Sequence, residues 1–297
     1  MNSDRPRESC IDLHTHSTAS DGSDAPSALP RLASVAGLAA VALTDHDTVA
    51  GIPEFLAAGG GYPGVETIPG VELASLYGSR ELHIVGLFID WQSAGLAAFL
   101  AKQREMRRRR NEEIRAKLNI LGYATSWSDE AFAGREPSTV GRPHFARHLC
   151  LKHGFADSRQ AFDRLLGHSR PAYVPRKLGT CGEAIAAIHA SGGVAVWAHP
   201  ICRERNESAW LRRLARHLVR AGLDGIEGYY SLFGPPETAL VTEVAAVNGL
   251  ALSGGSDYHG ANSPDIRLGS GMGRLRVPAA LLEGLKKKRE KYPGPTS

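Results

Sequence analysis

Four separated stretches of this chain run from short apolar, strand-like segments directly into residues that bind hard or borderline divalent cations. They are Asp12-Leu13-His14-Thr15-His16 with Asp21 just beyond, Thr44-Asp45-His46-Asp47, Ala198-His199-Pro200, and Gly255-Ser256-Asp257-Tyr258-His259. One His after a strand says little. The same ending repeated four times describes a barrel whose strand ends converge on a metal cluster, and such a chain is expected to be a hydrolase.

Apolar runs recur at 10–16, 40–44, 65–73, 82–88, 193–199, 225–229 and 251–254. Ala/Leu-rich segments of helical spacing lie between most of them, among them 27–36, 181–190 and 209–221. Strand then helix, repeated, predicts a parallel sheet, and roughly seven such units predict a closed or nearly closed α/β barrel. Gly37, Gly192, Gly222 and Gly249 stand where helices should end, a position that suits a residue without Cβ. The alternation stops between about 93 and 179, where 96–122 and 143–153 read as helices and no strand ends in a ligand. The expected organisation is therefore a barrel from 1–92 and 180–297, with a helical insertion at 93–179 covering the active site, where barrel enzymes carry substrate-selecting elements. From about Val277 a short helix and a Lys-rich, frayed tail are expected.

Composition narrows the class. A chain of 297 residues with 42% hydrophobic content can bury a large core in one α/β barrel. The N-terminus lacks the apolar core of a signal peptide, and no apolar stretch is long enough to cross a bilayer. Cys10, Cys150, Cys181 and Cys202 are scattered without a Cys-x-x-Cys pair, which predicts reduced thiols in a cytoplasmic protein. No obligate protein partner is evident. The formal charge is only +4. Carboxylates lying under metal ions would leave the mouth more positive than that sum, which suits an anionic substrate.

His14 and His16 share strand parity, so they face one side and can grip one ion together. Asp12, one pair back, is placed to accept a hydrogen bond from a ligand imidazole. Asp21 sits in a Ser-Asp-Gly turn that can fold back over the same mouth. Asp45, His46 and Asp47 close a buried apolar run, a costly place for ionisable groups unless they are paired or metal-bound. Glu72 and His83 are weak signals taken singly, and packing accounts for each about as well. His199 ends an apolar strand that Pro200 stops. Asp257 and His259 follow a Ser-Gly-Gly turn whose glycines permit close backbone approach.

The ordered series HxH, TDHD, a lone Glu, a lone His, AHP and SDxH resembles the polymerase-and-histidinol-phosphatase (PHP) family of metal-dependent phosphoesterases. The resemblance covers 10–92 and 180–275, and implies a distorted seven-stranded (β/α) barrel holding two or three divalent ions. Carried over residue by residue, it implies a first ion on His14, His16, Glu72 and Asp257, and a second on Glu72, His83 and His199. A third ion would sit on Asp21, His46 and His259. Many members carry His where this chain has Asp21, and an oxygen ligand there favours Mn2+, with Zn2+, Fe2+ or Mg2+ as alternatives. The insertion segments 140–147 and 171–175 are similar to stand-alone 3′,5′-nucleotide bisphosphate phosphatases, which are related to bacterial enzymes that trim RNA from its 5′ end.

The remaining histidines have plainer readings. His189 is a packing or capping residue at a helix end, His148 is structural, and His153, His168 and His217 lie on solvated helix faces. The run Arg107-Arg108-Arg109-Arg110 points around most of a helix circumference beside Glu105, Glu112 and Glu113, so it reads as a solvated, salt-bridged face and not one phosphate-binding stripe. Arg142, His144, Arg176 and Lys177 are the expected anchors for a phosphate that is not transferred, and Tyr173 or Tyr230 could stack on a base.

Glu72, Asp257, His199 and Asp45 are the expected catalytic residues. The expected reaction is hydrolysis, by water activated on the metal cluster, of the 3′-phosphate of a 3′,5′-nucleotide bisphosphate. The alternatives are 5′→3′ exonuclease action on short RNA, histidinol-phosphate hydrolysis, and a non-catalytic, metal-stabilised scaffold.

Overall fold

The computed structural model of the protein describes residues 9–201 and 207–292. Along the chain the elements are β1 (Cys10–Asp12), α1 (Ala28–Val35), β2 (Leu38–Leu43), α2 (Ile52–Gly59), β3 (Glu66–Tyr77), β4 (Arg80–Leu87), α3 (Ala94–Ile120), α4 (Arg142–His153), α5 (Ser158–Ala161), α6 (Cys181–Ala190), β5 (Val194–Trp197), α7 (Glu207–Arg220), β6 (Gly225–Tyr230), α8 (Pro235–Asn248), β7 (Ala251–Gly255) and α9 (Leu281–Arg289). Short helical turns at Glu130–Phe132, Phe162–Leu166 and Gly260–Asn262 complete them. The short helix expected after Val277 is α9, and the end of the tail expected to fray lies outside the described residues.

The seven strands form one sheet in chain order. The expected all-parallel sheet needs correction: β3 pairs with β4, and β4 with β5, antiparallel. The cause is local. Only Gly78 and Ser79 separate β3 from β4, and a two-residue turn with Gly78 at φ 62° can only reverse the chain. The sheet nearly closes where the Leu13 N–H donates to the Gly254 carbonyl (3.1 Å) and the Asp257 N–H to the His14 carbonyl (2.9 Å). The result is an α/β barrel of seven strands, nearly closed and distorted by its hairpin.

Alternation along β2 shows how the layers form. Ala40 and Ala42 face the barrel interior beside Ile11, Val85, Val194 and Val196. Val41 and Leu43 face outward into a cluster with Leu29, Ala33 and Phe55 of α1 and α2. Leu282 and Leu285 of α9 join the interior cluster, and Pro278 bridges Cys10 at the start of β1. The start of the strands is thereby plugged, and their other ends are left for the site. At the four helix ends read as glycine caps, Gly37, Gly192, Gly222 and Gly249 all have positive φ. Helix α6 opens with a reciprocal cap, in which the Glu183 N–H donates to Thr180 Oγ1 (3.2 Å) and the Thr180 N–H to Glu183 Oε2 (2.7 Å).

The chain divides into two compact units, residues up to Phe99 with those from Gly179, and residues 100–178. The division falls inside α3. The second unit has its own core, built on Ile114, Leu118, Phe132, Phe145, Leu149 and Leu166. Its arginine run departs from the expected solvated face at one position. Arg108 and Arg109 both pair with Glu105 (2.8 and 2.6 Å), but Arg110 is buried and its Nε donates to the Val174 carbonyl (3.0 Å). Cys150 and Cys181 are free thiols, and Cys202 lies outside the described residues. No helix among the described residues is long and apolar enough to cross a membrane.

Asp12 requires a second correction, because its carboxylate is committed to the frame of the barrel and not to a ligand imidazole. It is buried, and accepts from the Ser256 N–H (2.8 Å), Ser256 Oγ (2.6 Å) and the Gly269 N–H (2.7 Å), tying β1 to the chain after β7. Burial pushes its pKa up against these donors. A Cβ on Gly255 would lie 2.4 Å from the His14 backbone nitrogen, so this junction is tight as well as polar. Asp12→Ala strands buried donors and is expected to destabilise the chelator-treated protein by about 3 kcal/mol, lowering its melting temperature by roughly 6–12 °C. Calorimetry showing almost no shift would contradict this role.

Candidate metal centre

The end of the barrel that α9 leaves open collects its candidate ligands from six of the seven strands or from the loops that follow them. His14 and His16 come just after β1, His46 just after β2, His199 after β5, and Asp257 and His259 after β7. Glu72 comes from within β3. His83 lies near the start of β4, and reaches the same end because that strand runs backwards.

Glu72 is at the centre and fully buried. Its Oε2 lies 2.8 Å from His46 Nδ1, 3.3 Å from His14 Nε2 and 3.4 Å from His16 Nε2. Its Oε1 faces the other way, 2.8 Å from His83 Nδ1 and 3.1 Å from His199 Nε2. Asp257 Oδ1 adds a second carboxylate 3.2 Å from His16 Nε2 and 3.6 Å from His14 Nε2. Asp21 Oδ1 lies 3.3 Å from His259 Nε2, and Asp21 Oδ2 3.8 Å from His46 Nε2. All nine side chains expected as ligands therefore meet here. Two stand between groups: His46 spans Glu72 and Asp21, and His16 lies 3.8 Å from Asp21 through its Nδ1.

The donor set fits divalent cations. His14 Nε2, both ring nitrogens of His16 and Glu72 Oε2 are buried without a hydrogen-bond partner, a condition shared among the described residues only by Asn111 Oδ1 and His148 Nε2. Orphaned buried polar atoms are expensive, and these are accounted for if the Glu72 oxygen and one nitrogen lone pair of each ring bind cations. Three groups offer ligand atoms within 4.8 Å of one another: His14, His16 and Glu72; His46, Glu72 and His83; and His16, Asp21, His46 and His259. Imidazole and carboxylate together suit Mn2+, Fe2+ or Zn2+.

The electrostatics follow from burial and mutual charge. Desolvation acts to raise the Glu72 carboxyl, but the imidazoles, His46 first, hold it well below the usual range. Burial would lower His83, yet Glu72 lifts it to about 9. Burial also acts to lower His14, but Glu72, Glu227 and Asp257 together raise it. For His16 burial wins and its pKa falls to about 4, leaving a neutral ring with one nitrogen lone pair. Asp21 is held down at about 2, against burial, by His259, His46 and His16.

Backbone strain concentrates at the same rim. Asp47, His199 and Asp257 have φ of 51°, 30° and 58°, in the left-handed region that side chains resist. Each is pinned through its own N–H: Asp47 to the Glu72 carbonyl (2.8 Å), His199 to Glu227 Oε2 (2.6 Å) and Asp257 to the His14 carbonyl (2.9 Å). Asp45, expected to be catalytic, has its carboxylate filled by the Ser17 N–H (2.7 Å), Ser17 Oγ (2.6 Å) and Ser20 Oγ (2.6 Å). It fixes the turn that carries Asp21, and we correct its role to positioning. Tyr230, expected to stack on a base, donates its hydroxyl to Asp257 Oδ2 (2.9 Å) and lies against His199 and Phe233. Sequence reasoning missed Glu227. A lone carboxylate inside the apolar strand Gly225-Ile226-Glu227-Gly228 was the available signal, because burial without a partner is so costly.

The expected substrate anchors in the second unit are arranged differently from one another. His144 Nδ1 accepts from the Gly141 N–H (3.1 Å) and so caps α4. Arg142 Nη1 donates to the Leu166 carbonyl (3.3 Å), with its guanidinium 5.6 Å from the rings of Tyr173 and Phe162. Arg176 and Lys177 are exposed. Burial and the charges of Arg142 and Arg176 push the Arg110 guanidinium down to about 10, so this unit brings several cations close together. Outside both groups, His189 fits the plainer reading, bonded to Asp224 (2.8 Å) and stacked on Tyr292.

Residues 12–173 match the PHP domain. The chain belongs to the PHP domain family. It is an enzyme of the metal-dependent phosphoesterase class. Among its relatives, a 3′,5′-nucleoside bisphosphate phosphatase of Chromobacterium violaceum is 35% identical over 252 residues, 84% of this chain and 87% of its own. The 5′-3′ exoribonuclease Rnm of Salmonella typhimurium is 36% identical over 273 residues, 91% and 90% of the two chains. A solved structure, an amidohydrolase from Chromobacterium violaceum with bound sulfate, superposes with a TM-score of 0.73 at 32% identity, over 94% of this chain and 97% of that one.

Glu72→Ala or Asp257→Ala in this PHP enzyme is expected to remove bound metal and phosphoesterase activity together, read by elemental analysis of the purified protein alongside phosphate release. A metal-poor Asp257→Ala protein with full activity would contradict the assignment.

Proposed function

We propose that the protein is a phosphoric monoester hydrolase that removes the 3′-phosphate of 3′,5′-nucleotide bisphosphates, for example converting adenosine 3′,5′-bisphosphate to the 5′-nucleotide and phosphate. The observation that carries this reading is Glu72, whose two oxygens face different imidazole sets in a site lined with orphaned lone pairs. His14, His16, Glu72 and Asp257 would hold one ion, Glu72, His83 and His199 a second, and Asp21, His46 and His259 a third. Two or three such ions, Mn2+ on our reading, supply when bound the Lewis acidity and activated water that phosphoester hydrolysis needs. The chain's own residues do the positioning. Glu72 keeps the two imidazole sets in register, Asp45 holds the turn of Asp21 through Ser17 and Ser20, and the Tyr230 hydroxyl fixes the orientation of the Asp257 carboxylate. Because that hydroxyl is committed to Asp257, we assign Tyr230 to the metal centre and leave base stacking to Tyr173.

The bisphosphate reading is supported by the relative of that activity and by the cations of the second unit, where Arg142, Arg176 and Lys177 offer more positive charge than a simple monoester requires. A second reading, 5′→3′ exoribonuclease action on short RNA, is favoured by relatives of nearly equal similarity. The two separate on substrate. Mn2+-loaded protein is expected to release phosphate from adenosine 3′,5′-bisphosphate faster than it shortens a 5′-phosphorylated labelled oligonucleotide. Processive shortening at a higher kcat/KM would reverse that choice.

The anchoring role has its own test. Arg142→Ala and Lys177→Ala are each expected to raise KM for the bisphosphate by about 10-fold or more, the value of a charge-assisted hydrogen bond, with little change for an aryl phosphate. Equal losses on both substrates would refute it.

A further inference from the structure

Glu227 is buried in the middle of β6, yet both of its carboxylate oxygens are in use. Oε1 lies 3.1 Å from His14 Nδ1, and Oε2 accepts the backbone N–H of His199 at 2.6 Å. A carboxylate can only accept, so this contact places the proton of a neutral His14 on Nδ1 and turns the lone pair of Nε2 toward Glu72 and Asp257. Nε2 is the buried nitrogen without a hydrogen-bond partner. The other oxygen acts on the backbone and not on a ring. His199 has φ 30°, a conformation L-residues resist, and its N–H is anchored by this carboxylate. The N–H groups of Asp47 and Asp257, the other left-handed residues of the rim, are pinned by backbone carbonyls. Of these three N–H groups, that of His199 is the one held by a side chain.

We propose that Glu227 is a positioning residue that couples two ligand sets, fixing the tautomer of His14 and the turn of His199 with one carboxylate. His14 and His199 face opposite oxygens of Glu72, so Glu227 sets the span across which Glu72 is shared. The turn of Asp21, on the far side of the cluster, is held separately by Asp45 and its serines. The proposal rests on the metal-ligand reading of the site and is independent of which phosphoester is hydrolysed.

Glutamine is the informative replacement. Glu227→Gln keeps the volume but offers one acceptor and one NH2 donor, so it can satisfy the His14 N–H or the His199 N–H and not both. Titration of metal-free protein with Mn2+ is expected to show affinity reduced by about 10–100-fold, the usual effect of losing a partner that orients a ligand imidazole. Far-UV circular dichroism of the metal-free variant should match wild type, showing that it is folded, while the one stranded N–H lowers its melting temperature by a few degrees. Glu227→Asp keeps both acceptors but withdraws them by one methylene, disturbs packing less than a larger change, and is expected to weaken Mn2+ binding in the same way. Wild-type affinity in either folded variant would overturn the proposal. If wild type itself took up no Mn2+, the metal-ligand reading would fall; if wild type bound and the variants matched it, only the role of Glu227 would fall.

Discussion

The site depends on one buried carboxylate. Glu72 has no exposed surface, yet its oxygens are approached by five imidazoles from four different strand ends. Burying an isolated carboxylate is prohibitive, and packing five imidazoles around it, two of them buried with ring nitrogens left unpartnered, is little better. The arrangement becomes tolerable when positive charge sits among the groups. Protons supply it in part, as the raised pKa values of His14 and His83 indicate. Divalent ions would supply more, and one would also engage the single lone pair of the His16 ring, whose pKa is too low for it to hold a second proton.

Such a centre needs a rigid frame, and the frame is made of carboxylates that do not face the cluster. Asp12 ties β1 to the chain beyond β7, Asp45 ties the turn of Asp21 to β2, and Glu227 ties β6 to the ligands after β1 and β5. Each joins segments far apart in the chain, and each accepts at least two hydrogen bonds. The left-handed residues Asp47, His199 and Asp257 persist because neighbouring strands hold their N–H groups. Strain at the rim is thus stabilised by the same contacts that close the barrel.

What could be read from the sequence was what depends on residue type and short spacing. The HxH, TDHD, AHP and SDxH endings mark candidate ligands because several ionisable groups at the end of an apolar run are too costly to bury unless they bind something. Partners were not legible in the same way. Asp45 and His46 are adjacent in an acid-rich motif, and only the fold shows that Asp45 turns to Ser17 and Ser20 while His46 turns to Glu72. Arg110 was hidden by its neighbours for a related reason. Four successive helix positions sweep about 300°, so one member of the run had to face the interior of its unit, and the register of α3 selects Arg110.

The hairpin is the feature whose consequences reach furthest. Counting strand–helix repeats treats Glu72 and His83 as unrelated weak signals on successive parallel strands. With β3 and β4 antiparallel, His83 pairs with Ala74, and Glu72 is the next residue of β3 on the same face. The two are then diagonal neighbours within one ladder, and their 2.8 Å contact follows from the register. The reversal also brings His83 to the open end of the barrel from near the start of its strand, where a parallel strand would have carried it to the end plugged by α9. Gly78 and Ser79, which carry no chemistry themselves, therefore decide that Glu72 can present its second oxygen to a second group of ligands.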